Sequence, residues 1–355
     1  MRAKLRIDLG KLAGNAAGLA ELCGGRGINL ACVTKCFSAD RRMVEVLARQ
    51  PLAFLADSRL ANIARYPATD LPRLLLRAPA PDDCEAVVRG ADISVNSEMP
   101  TIEGLARAAK EQGIRHGIVV MVDMGDLREG LFHSNREKIL ETAAFATSGE
   151  FLDLQGIGVN LTCYGGVIPD EALMGRFADL AAWLQQELRM TFKIVSGGNS
   201  SSLDLVLKGG MPAGVNNLRL GESIITGEEA AYQRRLPGLA ENLITLEVPL
   251  IEIQVKPSVP EGNIGLNAFR EKPHFEDMGL RKRGILAIGR QDTEPSGLCC
   301  LDPGVRIIGA SSDHMIVDLT EAHATYAVGD TLRFTMNYLA MLRGFTSEFV
   351  DREYC

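Results

Sequence analysis

The sequence predicts an α/β fold, a closed parallel (β/α)8 barrel with a C-terminal mostly-β domain. Two patterns predict it. Short apolar runs alternate eight times with helix-like segments, and beyond about residue 235 strand-like runs continue without helical periodicity. The length agrees, because single hydrophobic cores stop growing near about 250–300 residues and this chain has 355.

Eight runs of apolar and β-branched residues are the predicted barrel strands. The segments between them, such as "MPTIEGLARAAKEQG" and "DEALMGRFADLAAWLQQELRM", repeat apolar residues at spacings of three and four, which is typical of amphipathic helices. A closed barrel accommodates eight such units better than an open doubly wound sheet. The predicted strands are "LACVT" (30–34), "AFLAD" (53–57), "RLLLR" (73–77), "DISVN" (92–96), "IVVMVD" (118–123), "GIGVNL" (156–161), "KIVSG" (193–197) and "NLRLG" (217–221).

The barrel is predicted over residues 10–234, and residues 235–355 with an N-terminal strand at 1–9 are predicted to form the β domain. Loops rich in Gly, Pro and Asp join the strand-like runs of this domain. The run "KLRID" is assigned to it because the eight barrel positions are already filled. Its other predicted strands are "NLITLEVPLIEIQVKP", "GILAIG", "HMIVDL" and "TLRFTMNY".

Composition excludes several function classes. The formal charge of −7 and the lack of a Lys/Arg run argue against a nucleic-acid or membrane-surface partner. No export-type apolar segment and no apolar run of about 18 residues is present, so we expect a cytoplasmic protein. The eight cysteines are then expected to be reduced core thiols, and without a C-x-x-C pair no metal site is expected.

A lysine follows the first predicted strand in "NLACVTKCFSAD". One interpretation is that Lys35 lies just past the strand and extends its ammonium to water. The other is a desolvated lysine that forms a Schiff base with a carbonyl compound, a role that requires a lowered pKa and a rigid support. The rest of the chain has to decide between them.

Polar residues follow most of the predicted strands. In a parallel barrel, the C-terminal ends of the strands form one rim, where the chemistry of such folds lies. A rim with a lysine, three arginines and two asparagines indicates a ligand site. The residues at these ends are Lys35, Asp57 with Arg59, Arg77, Asn96, Asp123, Asn160, Ser196 to Ser200, and Arg219.

The segment "VSGGNSSSLDLVLKGG" suggests a phosphate site. Two glycines, Asn199 and three serines open a helix after the seventh strand, so backbone N–H groups and hydroxyls can face an anion. A Gly-rich turn with a serine N-cap would look the same when taken alone. The next strand adds Arg219 at the same corner, and barrels hold phosphates after strands seven and eight. A Schiff-base lysine with a phosphate cradle describes pyridoxal phosphate.

Motifs along essentially the whole chain resemble the two-domain alanine racemase-like family of pyridoxal-phosphate enzymes. "MVDMGDLREGLF" and "GIGVNLTCYGG" are most similar to the branch of ornithine racemase and related amino-acid racemases. The other motifs are "VTKCFSAD", "LADSR", "LLLRAP", "VNSEMPTI", "SGGNSSSL", "LRLGES", "AIGRQD" and "LDPGVRIIGASSDHMIVD".

The resemblance implies a role for each matching residue. Lys35 matches the lysine that binds the cofactor and acts as one acid/base. Arg219 matches the arginine that faces the pyridine nitrogen, and Arg128 one that contacts the cofactor's phenolic oxygen and the substrate carboxylate; as an alternative, Arg128 is a solvated loop charge. The remaining cofactor-binding positions are Asn199 and Ser200 at the phosphate, the backbone at Gly221, and Asn160, which replaces a histidine against the ring.

Two departures from the family concern the phosphate and the second base. Ala39 replaces a tyrosine that touches the phosphate, and Arg290 replaces the tyrosine that serves as the second base. Because guanidinium is a poor base, either another group carries the second proton or one group serves both faces. The candidates are the β-domain pair Asp313 and His314, ranked slightly first, then Cys163, and Asp292.

The resemblance therefore implies a racemase of a free α-amino acid. Ornithine or another basic amino acid is the first expectation for the substrate, and alanine or serine is the second. A homodimer with shared active sites is implied as well. Two alternatives stay open: a pyridoxal-phosphate carrier, although such proteins lack a second domain, and a decarboxylase of the same fold, although "ASSDH" lacks the cysteine expected there.

Overall fold

The structure is a computed structural model that describes residues 2–355. Contacts within the chain divide it into two compact units. One unit is Gly10–Glu241, and the other is Met1–Leu9 with Asn242–Cys355.

The first unit is a closed barrel of eight parallel strands. The ring closes because the first strand, Asn29–Val33, pairs with both the second, Phe54–Asp57, and the eighth, Asn217–Leu220. A two-residue strand, Leu131–Phe132, pairs in parallel with the C-terminal end of the fifth strand. The other barrel strands are Arg73–Leu75, Ile93–Asn96, His116–Asp123, Leu152–Val159 and Ile194–Ser196. The predicted fold class is confirmed.

Helices cover the outside of the barrel and shield its strands. Three of them begin where a side chain caps the first turn: Asp40 accepts from the N–H of Met43, Asn135 from that of Lys138, and Asp170 from that of Leu173. The helix of this unit that ends at Gln112 stops at Gly113, whose φ of 65° suits glycine. The helices are Leu9–Gly24, Arg41–Leu47, Leu60–Ile63, Cys84–Gly90, Met99–Gln112, Arg136–Ser148, Glu171–Leu188, Leu203–Leu207 and Glu222–Thr226.

Two apolar layers hold the barrel together. The outer layer lies between strands and helices and includes Phe177 and Leu105, both fully buried. The inner layer fills the lumen with smaller side chains such as Ala31 and Val119, together with Met121. The lumen is therefore a packed core, and ligand chemistry is confined to the rim at the C-terminal strand ends.

The second unit is built on an eight-stranded sheet. Its longest strand, Ile244–Pro257, pairs antiparallel with Leu280–Leu286 and with Thr331–Met336, and at its start with Lys4–Ile7. Lys4–Ile7 also pairs in parallel with Asp351–Tyr354. The remaining strands are Leu298–Cys300, Arg306–Ala310 and Met315–Asp318, and the helix is Tyr338–Thr346.

Three strands of this unit and its helix were not among the predicted elements. The strands Leu298–Cys300, Arg306–Ala310 and Asp351–Tyr354 have only exposed or half-buried residues, so they lack the clear apolar alternation that marks a strand with one buried face. Across residues 2–355, no helix combines the length and the apolar character that crossing a membrane requires.

Candidate active site

Lys35 lies at the barrel rim, in a single 3-10 turn that follows the first strand. The turn spans Lys35–Phe37, and the next two residues, Ser38 and Ala39, have φ values of 50° and 52°, which reverse the chain. The lysine side chain is exposed in this chain. The groups whose charges interact with its ammonium include the Cys163 thiol and the Glu222 carboxyl.

The residue before the lysine is fixed by a buried carboxylate. Thr34 Oγ1 donates to Asp57 Oδ2 at 2.6 Å and lies 2.8 Å from the hydroxyl of Tyr66. Asp57 also accepts from the Arg59 N–H and the Asn62 side chain. Burial raises the pKa of Asp57 despite these hydrogen bonds. Both oxygens of this rim residue therefore accept hydrogen bonds from the chain itself, and the residue supports the first turn.

Arg219 is the most deeply placed cation of the rim, with 4% of its surface exposed. Its Nη1 donates to Ser196 Oγ at 2.6 Å, and its Nη2 donates to the Val159 carbonyl at 2.7 Å and to Asn160 Oδ1 at 2.6 Å. Burial lowers its pKa to about 10, so the guanidinium is still charged at neutral pH. The seventh and eighth strands and the end of the sixth thus hold it in one orientation.

Asn160 links Arg219 to a second arginine through Glu129. The Asn160 Nδ2 donates to Glu129, which also binds the Nε and Nη2 of Arg128, the latter at 2.6 Å. Burial opposes ionisation of Glu129, but the hydrogen bond and charge of Arg128 outweigh it and lower the pKa of the carboxyl. The sequence reading missed Glu129, although an acidic residue beside the predicted arginine in "DLREG" was a usable signal.

Asp126 ties the two rim loops together. Its carboxylate accepts four backbone N–H groups of the loop that follows the sixth strand. Burial alone would raise its pKa, but these bonds lower it. The four donors are Thr162, Cys163, Tyr164 and Val167. The loop that carries Cys163 is therefore fixed relative to the loop that carries Arg128.

Cys163 lies among the predicted cofactor residues. Its Sγ accepts a hydrogen bond from Asn199 Nδ2 at 3.2 Å. Burial raises the pKa of the thiol, although the charges of Arg128 and Lys35 act in the opposite direction. The net effect is a raised pKa, which favours the thiol over the thiolate.

The corner after the seventh and eighth strands has the features of an anion site. Asn199 Oδ1 accepts from the Ser201 N–H at 2.9 Å and opens a 3-10 turn of three serines. Ser200 Oγ accepts from the Ser223 N–H at 3.2 Å, so the two loops touch. A Cβ on Gly221 would approach the Val33 carbonyl oxygen to 2.8 Å, which explains the glycine.

Two hydroxyls of this corner have no partner of their own. Ser201 Oγ and Ser223 Oγ are buried and make no hydrogen bond within residues 2–355. Hydroxyl donors and backbone N–H groups at a tight glycine turn are the groups that bind phosphate. The residues present thus fit the phosphate of pyridoxal phosphate, and Lys35 and Arg219 fit its aldehyde and its ring nitrogen.

The β-domain candidates lie in the second unit. Asp313 and His314 are exposed, with His314 Nδ1 at 2.9 Å from Asp313 Oδ1, and this contact lowers the pKa of the aspartate. Arg290 Nη1 lies 3.1 Å from Glu271 Oε1, and the Arg290 Cζ lies over the Phe269 ring, 4.3 Å from its centroid. Asp292 is buried and accepts from the Ser347 hydroxyl at 2.6 Å.

A model of the alanine racemase N-terminal domain matches residues 7–228, which is more than half of the chain. The chain belongs to the alanine racemase family. Two characterised relatives match over 353 residues: an ornithine racemase from Acetoanaerobium sticklandii, 43% identical, with 99% of each chain covered, and a lysine racemase from Thermotoga maritima, 35% identical, with 99% of this chain and 98% of that one covered.

Solved members of the alanine racemase family share the fold of both units. Alanine racemase from Streptomyces lavendulae is 15% identical, with a TM-score of 0.76 over 100% of this chain and 97% of that one. Alanine racemase from Bartonella henselae, described with covalently bound pyridoxal phosphate, has the same identity and TM-score over 100% of both chains. The predicted family, the barrel with a β domain and the class of amino-acid racemase are confirmed.

Proposed function

We propose that this enzyme is a pyridoxal-phosphate-dependent racemase that interconverts the L and D forms of a free basic α-amino acid. One observation carries the proposal: a lysine, a buried arginine and a hydroxyl-lined glycine corner meet on the rim of one barrel. Membership of the alanine racemase family supports it.

The rim residues divide the task of holding the cofactor. Lys35 would bind it covalently, Arg219 would face the ring nitrogen, and the corner of Asn199, Ser200 and Gly221 would take the phosphate. When bound, pyridoxal phosphate supplies an electron-withdrawing ring that makes the Cα–H bond of an amino acid acidic. Because the guanidinium of Arg219 stays protonated near neutral pH, it would donate a hydrogen bond to a ring nitrogen and would not transfer a proton to it.

Racemisation needs an acid/base group for each face of the Cα atom, or one group that reaches both faces. Lys35 is proposed to serve one face. Two groups are proposed for the other face: the pair Asp313 and His314 in the second unit, or the Cys163 thiol, on whose pKa the charge of Lys35 acts.

Proton exchange in D₂O identifies the second group. The alanine variant of the residue that serves one face should still exchange the α-proton of one enantiomer but no longer invert it, because Lys35 acts on its own face. His314→Ala and Asp313→Ala are therefore compared with Cys163→Ala. Equal loss for both enantiomers would exclude the residue tested.

The substrate is proposed to have a cationic side chain. Relatives named ornithine racemase and lysine racemase, matched over nearly the full length, support a basic amino acid before alanine or serine. Arg128 is proposed to receive the substrate carboxylate with the N–H groups that Glu129 leaves free. We also propose a homodimer with shared active sites, as the family resemblance implies. A cytoplasmic location is proposed because the eight cysteines are free thiols.

A panel of amino acids tests the function. L-ornithine, L-lysine and L-arginine are incubated with the enzyme beside L-alanine and L-serine, and both enantiomers are quantified by chiral chromatography. We expect the basic group to be racemised with kcat/KM at least about tenfold higher than alanine, and Lys35→Ala to be inactive. Release of carbon dioxide would favour the decarboxylase, and cofactor binding without any turnover would favour the carrier.

A further inference from the structure

Glu129 leaves only one edge of Arg128 free. The Nε and Nη2 atoms form one edge of the guanidinium plane. Nε donates to Glu129 Oε2, and Nη2 donates to Glu129 Oε1. Nη1 has no hydrogen bond to any residue in the range 2–355. A guanidinium is rigid and planar, so this pairing fixes the direction in which the free Nη1 edge points.

Glu129 also determines the orientation of the Asn160 amide. A carboxylate can only accept and a guanidinium can only donate, so Nδ2 must face Glu129 and Oδ1 must face Arg219. Without the carboxylate the amide loses one of the two partners that hold it, so Asn160 Oδ1 is held less firmly against Arg219 Nη2. The orientation of the buried arginine thus depends on an acid that it does not itself touch.

We infer that Glu129 is a positioning residue of the racemase, which aims Arg128 at the substrate carboxylate and, through Asn160, holds Arg219 toward the cofactor ring. The inference rests on the proposed function, because that function gives the two arginines these tasks. It assigns to Glu129 no contact with substrate or with the reacting atoms.

A full carboxylate is needed at this position. The two oxygens of Glu129 accept three N–H donors from Arg128 and Asn160. A glutamine keeps one of these oxygens and turns an NH₂ group toward a donor, so at least one bond is lost and one close donor pair is created. The carboxylate also offsets one of the two guanidinium charges that meet at the rim.

Glu129→Gln is tested in two assays. In the holoenzyme, we expect the KM for L-ornithine to rise about 10- to 100-fold while kcat falls less than about tenfold, because the substrate carboxylate meets a misdirected arginine. In the full-length apoprotein, titrated with pyridoxal phosphate alone, we expect the Kd to rise about 3- to 10-fold, because Arg219 is held less firmly.

A double variant tests whether Glu129 acts through Arg128. In an Arg128→Gln background, Glu129→Gln should raise KM less than about twofold further, since the arginine it aims is gone. Glu45→Gln is the matched control, because it removes a glutamate that pairs with Arg41 at 3.0 Å on a helix outside the rim. We expect it to leave KM and the cofactor Kd unchanged.

Three results would overturn the inference. The first is that KM and cofactor Kd in Glu129→Gln equal those of Glu45→Gln, and the second is that the effects in the double variant are additive. The third is a smaller number of active sites and a lower Tm with unchanged KM, which would show a merely structural role. If the wild-type enzyme racemises no amino acid of the panel, the proposed function fails instead. The cofactor titration then still decides whether Glu129 supports Arg219.

Discussion

The two sides of the barrel rim differ in how far the chain satisfies its own polar groups. On one side Arg219 is bound by three acceptors within the chain. On the other, Ser201 and Ser223 have buried hydroxyls without a partner. A buried polar atom without a partner costs roughly 1–3 kcal/mol. Folding thus presets the arginine side, whereas on the serine side we propose that the phosphate of the cofactor supplies the missing partners.

Lys35→Ala should have the largest effect, because it removes the covalent attachment of the cofactor and one acid/base group. The noncovalent contacts on both sides of the rim remain. We expect racemisation to fall at least about 10³-fold, while pyridoxal phosphate still binds reversibly through the serine corner. Borohydride reduction followed by peptide mass spectrometry checks the attachment site: wild-type enzyme should carry the label on Lys35. A borohydride-fixed label in the variant would show that another residue holds the cofactor.

Arg219→Glu attacks the preset side. A carboxylic acid there can give a proton to the ring nitrogen, so we expect slower racemisation, by about 10²-fold or more, with a changed absorption spectrum and new side reactions such as transamination. Absorption spectra and the ratio of keto acid to racemised product measure this. Arg49→Glu, an exposed arginine outside the rim, serves as the control. An unchanged spectrum would place the arginine away from the ring.

Ser201→Ala and Ser223→Ala test the unsatisfied side, with the smallest expected effect. Each should raise the Kd for pyridoxal phosphate about 3- to 10-fold and leave the free energy of unfolding of the apoprotein unchanged or slightly higher, because no bond within the chain is lost. Ser196→Ala is the contrast, since it removes an acceptor of Arg219 and should destabilise the apoprotein by about 1–2 kcal/mol. Cofactor titration and urea unfolding measure the two quantities. If all three variants lowered the free energy of unfolding of the apoprotein equally, the two sides of the rim would not differ in how far the chain satisfies their polar groups.

The fold was predictable because its signals are local and repeated. Each barrel strand is a short apolar run, and the helices between them show a 3.6-residue period. The strands with no buried residue, such as Asp351–Tyr354, were not predicted, because pairing with a neighbouring strand and not burial makes them strands. Asp57 was predicted to belong to the ligand site at the rim for a related reason. Its hydrogen-bond donors, Thr34 and Asn62, are set by the folded structure, and no sequence pattern reveals them.

The sequence by itself determined the order of the barrel units, the rim positions of Lys35 and Arg219, and the glycine and serine composition of the phosphate corner. These depend on periodicity and on the rule that parallel strands end at one rim. Only the tertiary structure decided which polar groups pair. Glu129 bridging Arg128 and Asn160, and Asp126 joining two loops, depend on distances between segments about 30 to 40 residues apart. No local pattern encodes such distances, because they result from the closure of the whole barrel.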